Sequence, residues 1–103
     1  MRRAEAAALT VTADADATRM KTAVVILNWN TEDFLRKFLP GLTASVFEVK
    51  DAEVIVADND SSDGSMLVMN EVFPQIRTIN LEKNFGFTGG YNRAFNEIDC
   101  EYF

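Results

Sequence analysis

The chain has no histidine, a single cysteine, Cys100, and a single tryptophan, Trp29, among its 103 residues. Without histidine, neither a Cys/His zinc site nor a Ser-His or Cys-His nucleophile can be assembled within it. One cysteine forms no internal disulfide, which suits a reducing, cytoplasmic setting. General acid–base chemistry is left to carboxylates. No apolar stretch approaches the roughly twenty residues that span a bilayer, which leaves only peripheral association with the inner face of a membrane. Basic residues are outnumbered: 10 Lys and Arg stand against 16 Asp and Glu, for a net charge of -6. There is no basic stripe to displace counterions, so a nucleic acid is excluded as the expected partner. A 48% hydrophobic and 25% charged composition describes one ordinary globular domain.

Residues 1–20 read as a leader without stable structure, because Glu5, Asp14 and Asp16 interrupt any signal-peptide core. Met20, followed by Lys21, is a candidate natural start. From there, short apolar runs alternate with amphipathic ones. "TAVVILNW" (22–29) and "AEVIVAD" (52–58) are β-branched runs of the kind buried on both faces of a sheet. Between them Phe34, Leu35, Phe38, Leu39 and Leu42 follow a helical period, with Asn30 as cap and a kink or restart expected at Pro40. A second helix is predicted over 65–73, a third strand over 76–82 and a third helix over 88–98 capped by Thr88. A further apolar run begins at 100. This order predicts an α/β unit with parallel strands and flanking helices. Ligands of such sheets bind beyond the carboxyl ends of the strands. That rule selects three segments: 28–30, 58–64 and 84–92.

The acidic loop "DNDSSDG" (58–64) invites a calcium reading, which its register rejects. A loop starting at Asp58 puts Asp63 where the sharp-turn glycine belongs. One starting at Asn59 places Gly64 correctly but closes on Asn70 and leaves Glu71 one residue late. Its flank "EVIVA" is also a strand rather than a helix. A dinucleotide site fares no better, since "LNWNTEDFL" lacks the glycine-rich turn.

Trp29 instead offers a ring on which a planar base can stack, with Asn28 and Asn30 on either side of it. Asp58, at the next strand end, can accept a hydrogen bond from a pyrimidine ring N–H. Together they suit uracil or thymine, although rim packing for Trp29 and turn capping for Asp58 are the plain structural alternatives. Asp60 faces either a ribose or solvent. Asn59, Ser61 and Ser62 are read as turn and cap residues, and Asp63 as a complement to the next helix dipole. In "NFGFTGGYN", Gly86, Gly89 and Gly90 would let backbone amides approach a diphosphate or sugar. Asn84 and Asn92 add amide groups. Arg93 answers phosphate charge or is solvated, and Phe85 and Phe87 are expected to pack.

The motifs "VVILNWNTEDFLRKFL", "VIVADNDSSDGS" and "NFGFTGGYNRAF", in that order, resemble the start of a family 2 glycosyltransferase of the Rossmann-like GT-A fold, especially the rhamnosyltransferase-like branch of bacterial polysaccharide synthesis. The likeness covers residues 22–103. It implies that residues 21–103 are the N-terminal, nucleotide-binding part of such a domain, truncated before its metal-binding motif. By the same resemblance, Trp29 lies near the nucleotide base and Asp58 binds it, while Asp60 and the 84–92 segment line the nucleotide and diphosphate-sugar region. The donor would be a UDP- or dTDP-sugar, and the acceptor a glycan or lipid-linked molecule. The full-length enzyme would be inverting and use Mg²⁺ or Mn²⁺, whose ligands, like the catalytic base, are expected past Phe103. The 103 residues alone are then expected to be inactive and to self-associate through exposed edges. The competing reading is a non-catalytic nucleotide-binding or protein-interaction module.

Overall fold

The computed structural model describes residues 8–9 and 20–103. Strand β2 (Met20–Asn28) is the axis of the sheet, and its apolar run Ala23–Leu27 is buried throughout. Such a run has no polar alternation to offer solvent, so both of its faces must be covered. β3 (Ala52–Asp58) pairs with it in parallel, in register from Thr22 opposite Ala52 to Asn28 opposite Asp58. β4 (Arg77–Asn80) pairs in parallel with β3. The other edge of β2 is shared. β5 (Cys100–Tyr102) runs parallel to its first residues, and β1 (Ala8–Leu9) lies antiparallel to Val25 and Ile26. The chain therefore builds outward from β2 to β4 and then returns to the opposite side of β2. That reversal puts a topological switch point at the carboxyl end of β2, where open α/β sheets hold ligands.

Helices α1 (Glu32–Phe47) and α2 (Ser65–Glu71) cover one face. Leu35, Leu39, Val68, Met69 and Phe73 there close over Val24, Ile26, Val54 and Val56. Helix α3 (Gly86–Asn96) covers the other face, setting Tyr91 and Ala94 against Ala23, Val25, Leu27, Ile55 and Ala57. The expected α/β architecture is present, with four parallel strands between helical layers.

Several boundaries differ from the sequence expectation, each for a local reason. Helix α1 runs through Pro40 without a break. Leu35 and Leu39 before it and Leu42 after it pack on the same cluster, while Pro40 is exposed, so the missing N–H costs a bond only on the solvent side. Thr31, not Asn30, stands at the cap position of α1. β4 stops at Asn80, whose side chain accepts the Glu82 N–H at 2.9 Å as Glu82 turns to φ 72°. α3 begins at Gly86 rather than after Thr88, because the Asn84 side chain accepts the Gly86 N–H at 2.7 Å and starts the turn early. Of the predicted leader, residues 8–9 form β1 and Met20 opens β2; residues 1–7 and 10–19 lie outside the described residues.

Leu35 is fully buried, whereas Phe47, on the same helix, is 89% exposed. Leu35→Ala is expected to cost about 2–5 kcal/mol of stability. Phe47→Ser should stay within about 0.5 kcal/mol of the parent. Denaturant unfolding of both variants checks the contrast, and similar losses would contradict this assignment of the core.

Candidate functional site

The two central strands end side by side at Asn28 and Asp58, both buried. A buried carboxylate and a buried amide need partners, and they supply each other. Asn28 Nδ2 donates to Asp58 Oδ1 at 2.8 Å and to Ser61 Oγ at 3.1 Å. Ser61 returns its hydroxyl to Asp58 Oδ1 at 2.7 Å and its N–H to Asp58 Oδ2 at 2.9 Å. The Thr31 hydroxyl donates to Asn28 Oδ1.

Beside this network, the loop after β2 is fastened to the loop after β3. Asn30, with φ 54°, accepts the N–H groups of Ser62 at 2.7 Å and Asp63 at 3.2 Å on its Oδ1. Asparagine tolerates that left-handed backbone better than most residues. Asp63 and Glu32 then exchange caps: Asp63 Oδ2 accepts the Glu32 N–H at 3.1 Å, and Glu32 Oε1 accepts the Gly64 N–H at 3.0 Å. Asp63 Oδ1 also takes the Ser65 N–H at 2.9 Å. A side chain at 64 would start 2.6 Å from Glu32 Oε1, so the carboxylate occupies the space that glycine leaves. Burial pushes the Asp63 carboxyl upward, but the hydrogen bonds from Ser65 and Glu32 outweigh it and hold the group below its usual 3.8.

Above this floor lies a cavity of about 270 Å³, lined by Leu27, Trp29, Thr31, Asn59, Asn84, Gly86 and Phe87. Trp29 is 52% exposed and Phe87 44% exposed, so each presents ring surface that the core does not use. Phe87 meets Tyr91 edge-on, with ring centroids 5.1 Å apart. Asn59 is buried and spends both ends of its amide on the start of α3: Oδ1 accepts the Phe85 N–H at 2.9 Å, and Nδ2 donates to the Gly86 carbonyl at 3.1 Å.

The sequence-predicted residues thus fall into groups. Trp29, Asn84 and Gly86 line the cavity. Asn28 and Asp58 form the buried network, and Asn30 clasps the neighbouring loop. Asp60 is exposed, with φ 68°. Gly90 is buried where a Cβ would come within 2.8 Å of Leu27 Cδ1 and 3.1 Å of Asn59 Nδ2, so this glycine permits a close approach of helix to sheet. Gly89 is half-buried beside Phe85, and Asn92 is exposed on α3. Arg93 stacks on the Phe85 ring at 4.2 Å. Thr31, Asn59 and Phe87 line the cavity without having been singled out as site residues. For Phe87 the available signal was its place next to Gly86, four residues before Tyr91.

Among the described residues, no three acidic, cysteine or histidine side chains stand together so as to hold a metal ion. These residues do not fit a divalent cation. Among the described residues, no helix is long and apolar enough to cross a membrane.

The family model for glycosyl transferase family 2 matches residues 23–103. The chain belongs to that family. Its four parallel strands and flanking helices agree with the Rossmann-like GT-A fold of this glycosyltransferase family. No curated protein and no solved structure matches the chain. Family 2 membership implies a nucleotide-sugar donor in general terms, and the cavity lies at the switch point to which the strand order alone directs ligands of such sheets.

Asp63 is a stronger acid in the folded chain than in the unfolded one. A carboxyl more acidic in the folded than in the unfolded chain contributes stability that is complete above the unfolded value. That contribution is lost as the pH falls through the folded value. Asp63→Ala should therefore be less stable than the parent at neutral pH, and the difference should shrink as the pH drops below 3.8. Urea unfolding across that range measures it; a gap independent of pH would contradict the capping role.

Proposed function

We propose that this glycosyltransferase chain binds the nucleoside diphosphate of a sugar donor, with UDP- or dTDP-sugars favoured, in the cavity between Trp29 and Phe87. The observation that carries the proposal is the pair of exposed rings flanking a cavity at the carboxyl ends of β2 and β3, in a chain of family 2. A planar base stacks on such a surface. Asp58 is the acceptor for the ring N–H of the base. Its Oδ2 holds a single hydrogen bond among the described residues, from Ser61, and so retains acceptor capacity. Asn28 and Asn30 hold the base-side loops, and Asp60 lies on the ribose side. Gly86, with Asn84, Gly89, Gly90 and Asn92 around it, forms the diphosphate-sugar side.

The activity served is inverting transfer of the sugar to a glycan or lipid-linked acceptor, of the rhamnosyltransferase-like kind. In such a transfer an acceptor hydroxyl, deprotonated by a base, attacks the anomeric carbon and the nucleoside diphosphate departs. We assign neither that base nor a metal ligand to any described residue. Donor binding is the part of the reaction for which these residues supply groups. A non-catalytic interaction module is the second reading, favoured by the exposed apolar side chains Phe38, Phe47, Leu67 and Val72 on α1, α2 and the α2 C-cap.

Trp29 is the only tryptophan, so its fluorescence reports on the cavity directly. Titration with UDP and with dTDP is expected to give a saturable change. Asp58→Asn, which keeps the shape but removes the charge, should weaken binding roughly tenfold to a hundredfold. A folded parent chain whose fluorescence does not respond to either nucleotide would remove this reading in favour of the interaction module.

A further inference from the structure

We infer that Asn59 is a positioning residue for the donor cavity, a side-chain strap that sets where the Gly86–Phe87 wall stands against Trp29. The inference rests on the nucleotide-binding reading of that cavity. Asn59 follows Asp58 at the end of β3, and its own N–H is tied to the Asn28 carbonyl at 2.8 Å. Its amide then bonds the start of α3 with one acceptor and one donor, as a backbone rung of a sheet would. One residue thus joins the end of β2, the end of β3 and the beginning of α3.

Nothing else among the described residues does this. β4 leaves the sheet after Asn80, and Leu81 makes the last backbone bond, to the Asp58 carbonyl at 2.9 Å. The turn that follows is held from within by Asn80 to Glu82 and Asn84 to Gly86. It contains two left-handed residues, Glu82 at φ 72° and Gly86 at φ 77°. Among the described residues, the two Asn59 bonds are the only hydrogen bonds that tie residues 82–86 to the sheet. Gly90 completes the fit, because only a residue without a Cβ lets α3 approach Leu27 and the Asn59 amide so closely.

The chemistry of the strap is specific. It needs a donor and an acceptor together, which a neutral amide supplies. An ionised carboxylate at 59 would offer only acceptors and would face the Gly86 carbonyl, whereas a protonated carboxyl would restore both bonds. The charged groups around it are Asp58 and Asp60, which flank it in the chain, and Lys83 and Arg93, which stack on the Phe85 ring that it holds. The two flanking carboxylates favour protonation of an acid at 59; the two cations oppose it.

The test titrates UDP into the parent chain, Asn59→Ala and Asn59→Asp, following Trp29 fluorescence, with amide hydrogen exchange measured on the same proteins without nucleotide. Asn59→Ala should bind UDP about tenfold more weakly, the size of effect that two lost hydrogen bonds produce. Its far-ultraviolet circular dichroism should be unchanged. Exchange at the Phe85 amide should accelerate, while the β2–β3 ladder stays protected. Asn59→Asp should behave like the alanine variant at about pH 8 and approach the parent, measured at the same pH, toward about pH 5. This recovery is one that loss of packing alone would not give. UDP affinity of Asn59→Ala equal to the parent's, or an unaltered Phe85 amide, overturns the inference. If the parent fails to bind UDP, the nucleotide reading falls by itself, and the Phe85 amide still decides whether the strap exists. If the alanine variant does not fold, the aspartate variant at low pH must bind as the parent does, and failure there overturns the proposal.

Discussion

The hydrogen bond between Asn28 and Asp58 is the constraint around which the candidate site is arranged. The parallel register of β2 and β3 sets these two residues opposite each other at the last rung of the ladder. Both are buried, so neither can look to solvent for a partner. An amide and a carboxylate at 2.8 Å satisfy each other, and Ser61 and Thr31 add further hydrogen bonds to the pair. Had either strand slipped by one residue, an apolar side chain would face a polar one across the rung, and the buried group would be left unpaired. The network therefore rewards one register and places the two loops that follow.

From that anchor, the carboxyl edge is organised by side chains that stand in for backbone. Asn30 caps the turn after β3, Asp63 caps both α1 and α2, Glu32 answers from α1, and Asn59 reaches the start of α3. Apart from the local Asp63–Ser65 cap of α2, each bond crosses between segments distant in sequence. Loops held in this way can keep exposed aromatic rings at the surface without collapsing over them. Trp29 and Phe87 remain partly exposed because the polar straps beneath and beside them carry the geometry. On the proposed donor-binding reading, a preorganised cavity of this kind lowers the ordering cost of binding.

Glycine has different uses within one short motif. Gly86 takes a left-handed backbone at the start of α3, whereas Gly90 is needed for lack of volume between Leu27 and Asn59. Only Gly86 of the three lines the cavity.

The alternation of apolar runs and amphipathic stretches was legible in the sequence because burial on two faces, or on one helical stripe, leaves a local periodic trace. The same trace located the three polar segments at one edge, and three motifs in order pointed to the family. Boundaries near Thr31, Pro40 and Gly86 were not legible, since non-local packing and single side-chain caps overrode the local preference. Nor was the division of labour at the site. Asn59 and Asp58 are adjacent and similarly buried, yet one straps α3 while the other closes on β2. The sequence by itself determined the α/β order and the sheet edge at which the polar segments gather, because hydrophobic periodicity is written in neighbouring residues. Only the tertiary structure decided which polar side chains open onto the cavity and which hold it together, because their hydrogen-bond partners lie some 26 to 33 residues away.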